Sequence, residues 1–359
     1  MTPPAPTRFA VVGSGWRSEF FVRLARMAPD RLRVTSVVTR TAGRAEEITA
    51  GWGVPAVLTL GEALREQPDF VIASVPWAAM PDLVRELVAA GVPVLAETPP
   101  APDVEGLRSL WHDVGGSGRV QVAEQYLLMP GHAARLAVVR DGTIGEPTSV
   151  QISSTHMYHA VSLVRGLLGV GTDDVVVNAR EFTAPLLDPL SGAGWDPSAR
   201  PRDATTTLAT LDFGGRTGLY DFTDNQWWNP LRGRRLLVRG TRGEIADDAV
   251  TRLVDPVTPV TSLLSYRRRG IDLNLEGVDL DTIALDGRVV HRNAWAGTRM
   301  SDDDVAVAEL LARTGAWARG EGDEPYPLAQ ACQDHAISLA MAESARSHAD
   351  VRVGGEPWS

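Results

Sequence analysis

The sequence predicts an α/β protein that opens with a doubly wound parallel sheet, and three observations carry that expectation. RFAVVGSGW reads as a buried strand running into a glycine-spaced turn, and SEFFVRLARMA follows with apolar residues at helical spacing. Apolar strands then alternate with amphipathic helices, the pattern of a sheet covered on both faces. Among them, DFVIASVP is a near-continuous apolar run of the kind a parallel sheet buries on both sides. At 359 residues the chain exceeds the roughly 250–300 at which single cores stop growing, so two domains are expected.

Composition narrows the function classes. Hydrophobic residues make up 44% and charged residues 22%, and no apolar run approaches the roughly 18 residues a membrane helix requires. The first residues lack the basic segment and apolar core of a secretory signal. A single cysteine, Cys332, excludes an internal disulfide and a zinc–cysteine cluster and suits a cytoplasmic location. The net charge of −10 argues against nucleic acid or an anionic membrane as partner. All 35 basic residues among Lys and Arg are arginine, so no side chain here forms a Schiff base or serves as a lysine acid.

Gly13-Ser14-Gly15-Trp16-Arg17-Ser18 is a GxGxxS variant of the dinucleotide fingerprint. Gly13 permits the tight turn, Gly15 lets backbone approach a pyrophosphate at the helix N-terminus, and Ser18 is small enough for close helix–strand packing. The second strand, RLRVTSVVTR, ends in Thr39 and Arg40, followed by Thr41 and Arg44, where an acidic residue would grip the ribose of NAD. An arginine there can hold a 2′-phosphate, so NADP(H) is expected over NAD(H). Helix AGRAEEITAGW, strand VLTL and helix GEALREQ come next. DFVIASVP then closes on Pro76 and Trp77 at the carboxyl edge, where nucleotides sit in open α/β sheets. Helix MPDLVRELVAAG leads into VPVLAE, which ends at Glu97 and Thr98.

This order, from the glycine turn through AAGVPVLAETPPAP, resembles the Gfo/Idh/MocA oxidoreductases, whose members carry Glu-Lys-Pro at the end of that strand. Glu97 and Pro99 match, and Thr98 replaces the lysine. Downstream, MPGHAARLAVVRDGTIGEPTSVQI, HMYHAVSLVRGLLG, LLVRGTRGEI and QACQDHAISLAMAESARSHADVRV resemble the family's later elements, so the likeness spans nearly the full length. It implies a Rossmann domain over residues 1–123 and a substrate-binding, oligomerising α/β domain with an open, mostly antiparallel sheet over 124–359. It also implies a homo-oligomer, a dimer or tetramer. The implied chemistry is hydride transfer between a nicotinamide and a small substrate, and the implied cofactor set includes Gly13, Ser14, Gly15, Trp16, Arg17, Thr39, Arg40, Pro76, Trp77 and Glu97.

Hydride transfer needs a nearby proton donor or acceptor. By the resemblance the family histidine is His159, while the expected aspartates become Thr155 and Ser162. A threonine at 98 cannot act as a general acid near neutral pH, though it can hydrogen-bond a substrate oxygen. His156, Tyr158 and His159 share one helix start, and either histidine titrates in a useful range. Tyr126 lies where relatives place substrate contacts. Biliverdin reductase has tyrosine at the lysine position, and imine reductases are also relatives, so the lysine is not obligatory. The expectation is therefore a lysine-free relay: His159 as proton donor, Thr98 and His156 orienting an imine, enone, keto-sugar or sugar derivative, and Tyr126 beside them. Two alternatives stay open, a catalytically silent nucleotide-binding regulator and an NAD-assisted glycosidase.

Three further expectations concern the second domain. Strand alternation would put Trp227 and Trp228 on opposite faces, so that at most one lines the site. FTAPLLDPLSGAGWDPSARPRD reads as a long loop, of the kind that often serves as a lid. Arg267 to Arg269 read as a solvated charge run, with an anion clamp as the alternative. No metal-ligand spacing is present, and no metal is expected.

Overall fold

The computed structural model describes residues 5–270, 274 and 276–359. The first part contains β1 (Thr7–Val12), α1 (Trp16–Met27), β2 (Leu32–Val38), α2 (Ala42–Trp52), β3 (Ala56–Val57), α3 (Leu60–Arg65), β4 (Phe70–Ala73), α4 (Met80–Ala89), β5 (Val94–Ala96), α5 (Val104–Val114) and β6 (Val120–Val122). These six strands form one parallel sheet in the order β3-β2-β1-β4-β5-β6. The order reverses between β1 and β4, the switch point outside whose carboxyl ends ligands bind. Phe9 and Phe70 stack across that pair at 5.6 Å between ring centroids, and Phe9, Val11, Phe70 and Ile72 are fully buried. The stretch read as strand VLTL is shorter than expected. Only Ala56 and Val57 pair, because Thr59 caps α3 in a capping box with Glu62 and pulls the chain into the helix.

The second part contains α6 (Pro130–Arg140), β7 (Pro147–Ser153), α7 (Met157–Leu168), β8 (Val175–Leu186), β9 (Leu190–Ser191), β10 (Gly194–Trp195), β11 (Arg202–Asp212) and β12 (Thr217–Thr223). It continues with β13 (Arg235–Gly240), β14 (Gly243–Ala246), β15 (Ala249–Leu253), β16 (Pro259–Leu263), β17 (Ser265–Arg269), β18 (Asp279–Leu285), β19 (Arg288–Arg292), α8 (Asp302–Ala318), α9 (Leu328–Ser347) and β20 (Val351–Val353). A nine-stranded sheet runs β16-β15-β14-β13-β7-β12-β11-β8-β20, antiparallel throughout except for the β7–β12 pair. Helices α7 and α9 pack on this sheet and on each other, burying Leu163, Leu167, Ile337 and Met341. Helix α8 instead returns to the first sheet, where Val307, Leu310 and Leu311 join the core of Phe9 and Phe70. The two sheets thus share side chains across their junction, and the carboxyl edge of the first faces the start of α7.

The expected lid is not a loop. FTAPL continues β8 and pairs with β11 from Arg202↔Leu186 to Thr206↔Phe182, and a short hairpin, β9–β10, closes the excursion. Its side chains do not line the central cavity. Arg267 to Arg269 lie on β17 instead, with Arg267 and Arg269 flanking Asp281 at 3.5 and 3.8 Å, away from that cavity. Among the described residues no helix is long and apolar enough to cross a membrane.

Candidate active site

A cavity of about 1250 Å³ runs along the carboxyl edge of the parallel sheet to the start of α7. At its first end, Gly13 has φ +128°, and a Cβ there would lie 1.9 Å from the Ser74 carbonyl oxygen, so glycine is required. Gly15 caps α1 with no side-chain hydrogen bond, and the space beside its Cα is open. The first N–H groups of a helix have no partner inside it, so this uncapped, open N-terminus fits a phosphate. Ser18 is buried, its hydroxyl donating to that of Ser74 at 3.3 Å, which draws α1 onto β4.

The structure separates the two arginines after β2. Arg44 donates to the Ser14 carbonyl at 2.9 Å and pairs with Glu47 at 2.8 Å, so it braces the glycine turn. Arg40 is exposed, lines the cavity and has no hydrogen-bond or ion-pair partner among the described residues. Thr39 is buried, its hydroxyl 3.4 Å from that of Ser14. Pro76, Trp77 and Trp16 also line the cavity, with the Trp77 and Trp16 indoles 52% and 76% exposed. Arg17 and Glu97, each expected to touch a cofactor, also engage each other at 2.9 Å. The Arg17 guanidinium lies 4.8 Å from the Phe20 ring centroid, so the pair forms a strut from α1 to the end of β5 while still lining the cavity.

The second end holds the group the sequence reading missed. Glu124, just past β6, places one carboxylate oxygen 2.5 Å from His159 Nδ1 and accepts the Tyr126 N–H on the other at 3.1 Å. Both side chains are buried, at 11% exposure for His159 and 3% for Glu124. With Nδ1–H donated to the carboxylate, Nε2 is the nitrogen left for a ligand. The Tyr126 ring sits 4.5 Å from the His159 ring, and Tyr158 the same distance on another side. The hint was an acidic residue two positions past the buried strand VQV, in a chain lacking both family aspartates. Ser162 only donates to the His159 carbonyl at 2.8 Å, and Thr155 is buried near Tyr126.

His156 differs from expectation. Burial, reinforced by His159, pushes its pKa down to about 4, so it is neutral at physiological pH. It packs 4.9 Å from the Trp227 ring and can orient a ligand, but it does not titrate near neutrality. Thr98 lies at the end of β5 against Tyr158, whose phenol burial raises to about 12 and the Thr98 hydroxyl lowers in part. Met157, first in α7, has φ +44° and donates its N–H to the Tyr220 hydroxyl at 3.1 Å. That left-handed backbone costs about 1–3 kcal/mol and aims the helix start at the cavity.

Both tryptophans line the cavity, correcting the alternation argument. β12 ends at Thr223, and Trp227 and Trp228 sit in the turn that follows, edge to face at 4.3 Å. Among the described residues no group of three or more His, Cys, Asp or Glu side chains is placed to hold a metal ion.

A glycine turn and uncapped helix at one end of the cavity, with a carboxylate-held histidine at the other, are the features of a dinucleotide-binding fold whose cavity is completed by the second part of the chain. Residues 7–124 match the model of the oxidoreductase family with an NAD-binding Rossmann fold, Gfo/Idh/MocA. No curated protein sequence matches the chain. Solved structures share the fold over the full length. An oxidoreductase from Agrobacterium radiobacter, in complex with NAD+, L-tartaric acid and magnesium, is 16% identical, with 97% of this chain and 98% of that one covered at a TM-score of 0.68. A myo-inositol dehydrogenase from Corynebacterium glutamicum is 17% identical, with coverages of 97% and 99% and a TM-score of 0.66. The WlbA dehydrogenase from Chromobacterium violaceum, in complex with NADH and UDP-GlcNAcA, is 15% identical, with coverages of 98% and 97% and a TM-score of 0.63.

Proposed function

We propose that the protein is an NADP(H)-preferring oxidoreductase acting on a small planar substrate, with a Glu124–His159 dyad handling the proton that a lysine handles in typical relatives. The observation that carries this reading is that the dyad and the Gly13–Gly15 turn line or abut one continuous cavity. When bound, a nicotinamide nucleotide supplies or accepts the hydride. The chain's own residues do the rest. Backbone N–H groups at the start of α1 hold phosphate, Arg40 faces the ribose edge, and Trp16 and Trp77 present flat apolar surface at the mouth. At the other end His159 Nε2 gives a proton to the substrate heteroatom or takes one from it, while Glu124 fixes the tautomer and steadies the charged imidazole. Thr98 and neutral His156 hydrogen-bond and orient the substrate, and Tyr126, Trp227 and Trp228 exclude water around it. A buried carboxylate on a cavity histidine is costly to keep without a use, which weighs against a catalytically silent protein.

Thermal stability with added nucleotide tests this reading, because a ligand of the folded state raises the melting temperature by mass action. NADPH is expected to stabilise more than NADH, with affinities differing about tenfold or more, the scale of a charged hydrogen-bonded pair. Arg40→Ala should close that gap while leaving NADH binding unchanged. Equal affinities in the unmutated protein would contradict the role given to Arg40, and no response to either nucleotide would contradict the whole reading.

A further inference from the structure

We infer that the substrate end of the cavity is a subsite for a flat carboxylic acid, anchored by Arg234, an inference that rests on the proposed hydride-transfer function. Three arginines line the cavity, and they differ in what already holds them. Arg17 is neutralised by Glu97, and Arg40 stands at the ribose edge. Arg234, just before β13, donates to the Trp227 backbone carbonyl, which holds its guanidinium at the turn carrying the two tryptophans, and it has no carboxylate partner among the described residues. Its charge reaches two groups that line the cavity: burial raises the Tyr126 phenol and Arg234 partly opposes that rise, while burial lowers His132 and Arg234 adds to the fall.

The surrounding groups point to the shape and charge of the ligand. Burial, with Arg135 and Arg234, pushes His132 down to about 3, so this end carries no second cation from histidine. His132 Nδ1 and the Ser154 hydroxyl are buried without a hydrogen-bond partner, and both residues line the cavity. Unmet polar atoms beside one unpaired guanidinium suit a carboxylate, whose two oxygens take a bidentate arginine and leave lone pairs for a further donor. A phosphate dianion calls for more than one cation, whereas among the described residues Arg234 is the arginine lining this end and the nearby Arg135 is paired with Asp248. Trp227, Trp228, Tyr126 and Met129 supply the apolar walls, and the Trp227 ring packs 4.9 Å from that of His156. A planar acid therefore fits with its ring against the indoles, its carboxylate on Arg234 and its reducible or oxidisable centre toward His159. The protein's net charge of −10 repels anions in general, so selective uptake of an acid has to come from a local site.

Matched acid and amide probes test this on the NADP+-loaded protein. Calorimetric titration would compare picolinate with picolinamide and indole-2-carboxylate with indole-2-carboxamide, each pair differing in charge with nearly the same shape. At least one acid is expected to bind about tenfold or more tighter than its amide, the scale of one charge-assisted pair. Arg234→Met should abolish the preference with NADP+ affinity unchanged, and Arg234→Lys should retain only part of it because ammonium lacks the planar fork. If no acid binds better than its amide, or if the preference survives in Arg234→Met, the subsite is refuted. Should NADP+ itself fail to bind, the nucleotide reading fails separately, and the same acid–amide comparison on the free protein still decides whether Arg234 anchors a carboxylate.

Discussion

Replacing Glu124 by glutamine is expected to lower turnover about 10²–10⁴-fold while leaving nucleotide affinity within about twofold, the range over which a positioned acid–base group and its orienting carboxylate act. Glutamine keeps the size of the side chain but loses the charge that steadies a protonated imidazole, and its amide can present a donor to Nδ1 and so impose the wrong tautomer. His159→Asn should cost about as much, and the double variant little more than either, because the two residues act as one unit. A readout independent of substrate exists. The Nδ1–H of His159, bound to Glu124 at 2.5 Å in a buried pair, should give a slowly exchanging proton signal in the NMR spectrum. That signal should vanish in Glu124→Gln. Turnover within about threefold of the unmutated protein would remove the dyad from the chemistry.

Arg165→Leu is expected to carry the largest stability loss, about 3–5 kcal/mol, the cost of breaking a buried charge pair on one side. Arg165 is 2% exposed on α7 and donates to Asp334 on α9 at 2.5 Å, to the Gln330 carbonyl at 3.0 Å and to the Gly171 carbonyl at 2.5 Å. Asp334 also accepts the Tyr326 hydroxyl, and burial pushes its carboxyl up to about 6 despite the arginine. Without Arg165 that carboxyl rises further. A carboxyl whose folded pKa exceeds its unfolded value of 3.8 is favoured below that value and loses the advantage as pH climbs through the folded pKa. The variant's deficit should therefore be small near pH 4 and largest above neutrality. Denaturant unfolding at several pH values measures it, and Arg165→Leu with Asp334→Leu should recover much of the loss. A single-variant deficit under about 1 kcal/mol at pH 8 would show that the pair does not hold α7, the helix that carries His159.

Local signals in the sequence reached the first sheet almost element by element, because strand–glycine–helix order and apolar periodicity are written in neighbouring residues. Gly13, Gly15, Ser18 and Arg40 were legible for that reason and His159 through the family resemblance; the structure places Gly13, Gly15, Arg40 and His159 around one cavity and buries Ser18 against Ser74. What escaped depends on contacts between distant residues. Glu124 and His159 are separated by 35 positions and meet only when β6 and α7 are brought together across the domain junction. The state of His156 is set by burial that no spacing reveals. The tryptophans were misjudged because β12 stops at Thr223, where Gln226 folds back to accept the Thr223 N–H at 2.9 Å and to donate to the Ser153 carbonyl. The supposed lid was misread because its proline- and glycine-rich composition masks the extension of β8 and its pairing with β11.

A crystal structure of the protein with NADP+ tests the central claim most directly. A pyrophosphate oxygen is expected within hydrogen-bond distance of the backbone N–H groups at Gly15 and Trp16, with the nicotinamide ring in the cavity between Thr98 and His159 Nε2. A nucleotide bound elsewhere, or one whose nicotinamide points out past Trp77 and away from His159, would contradict the account.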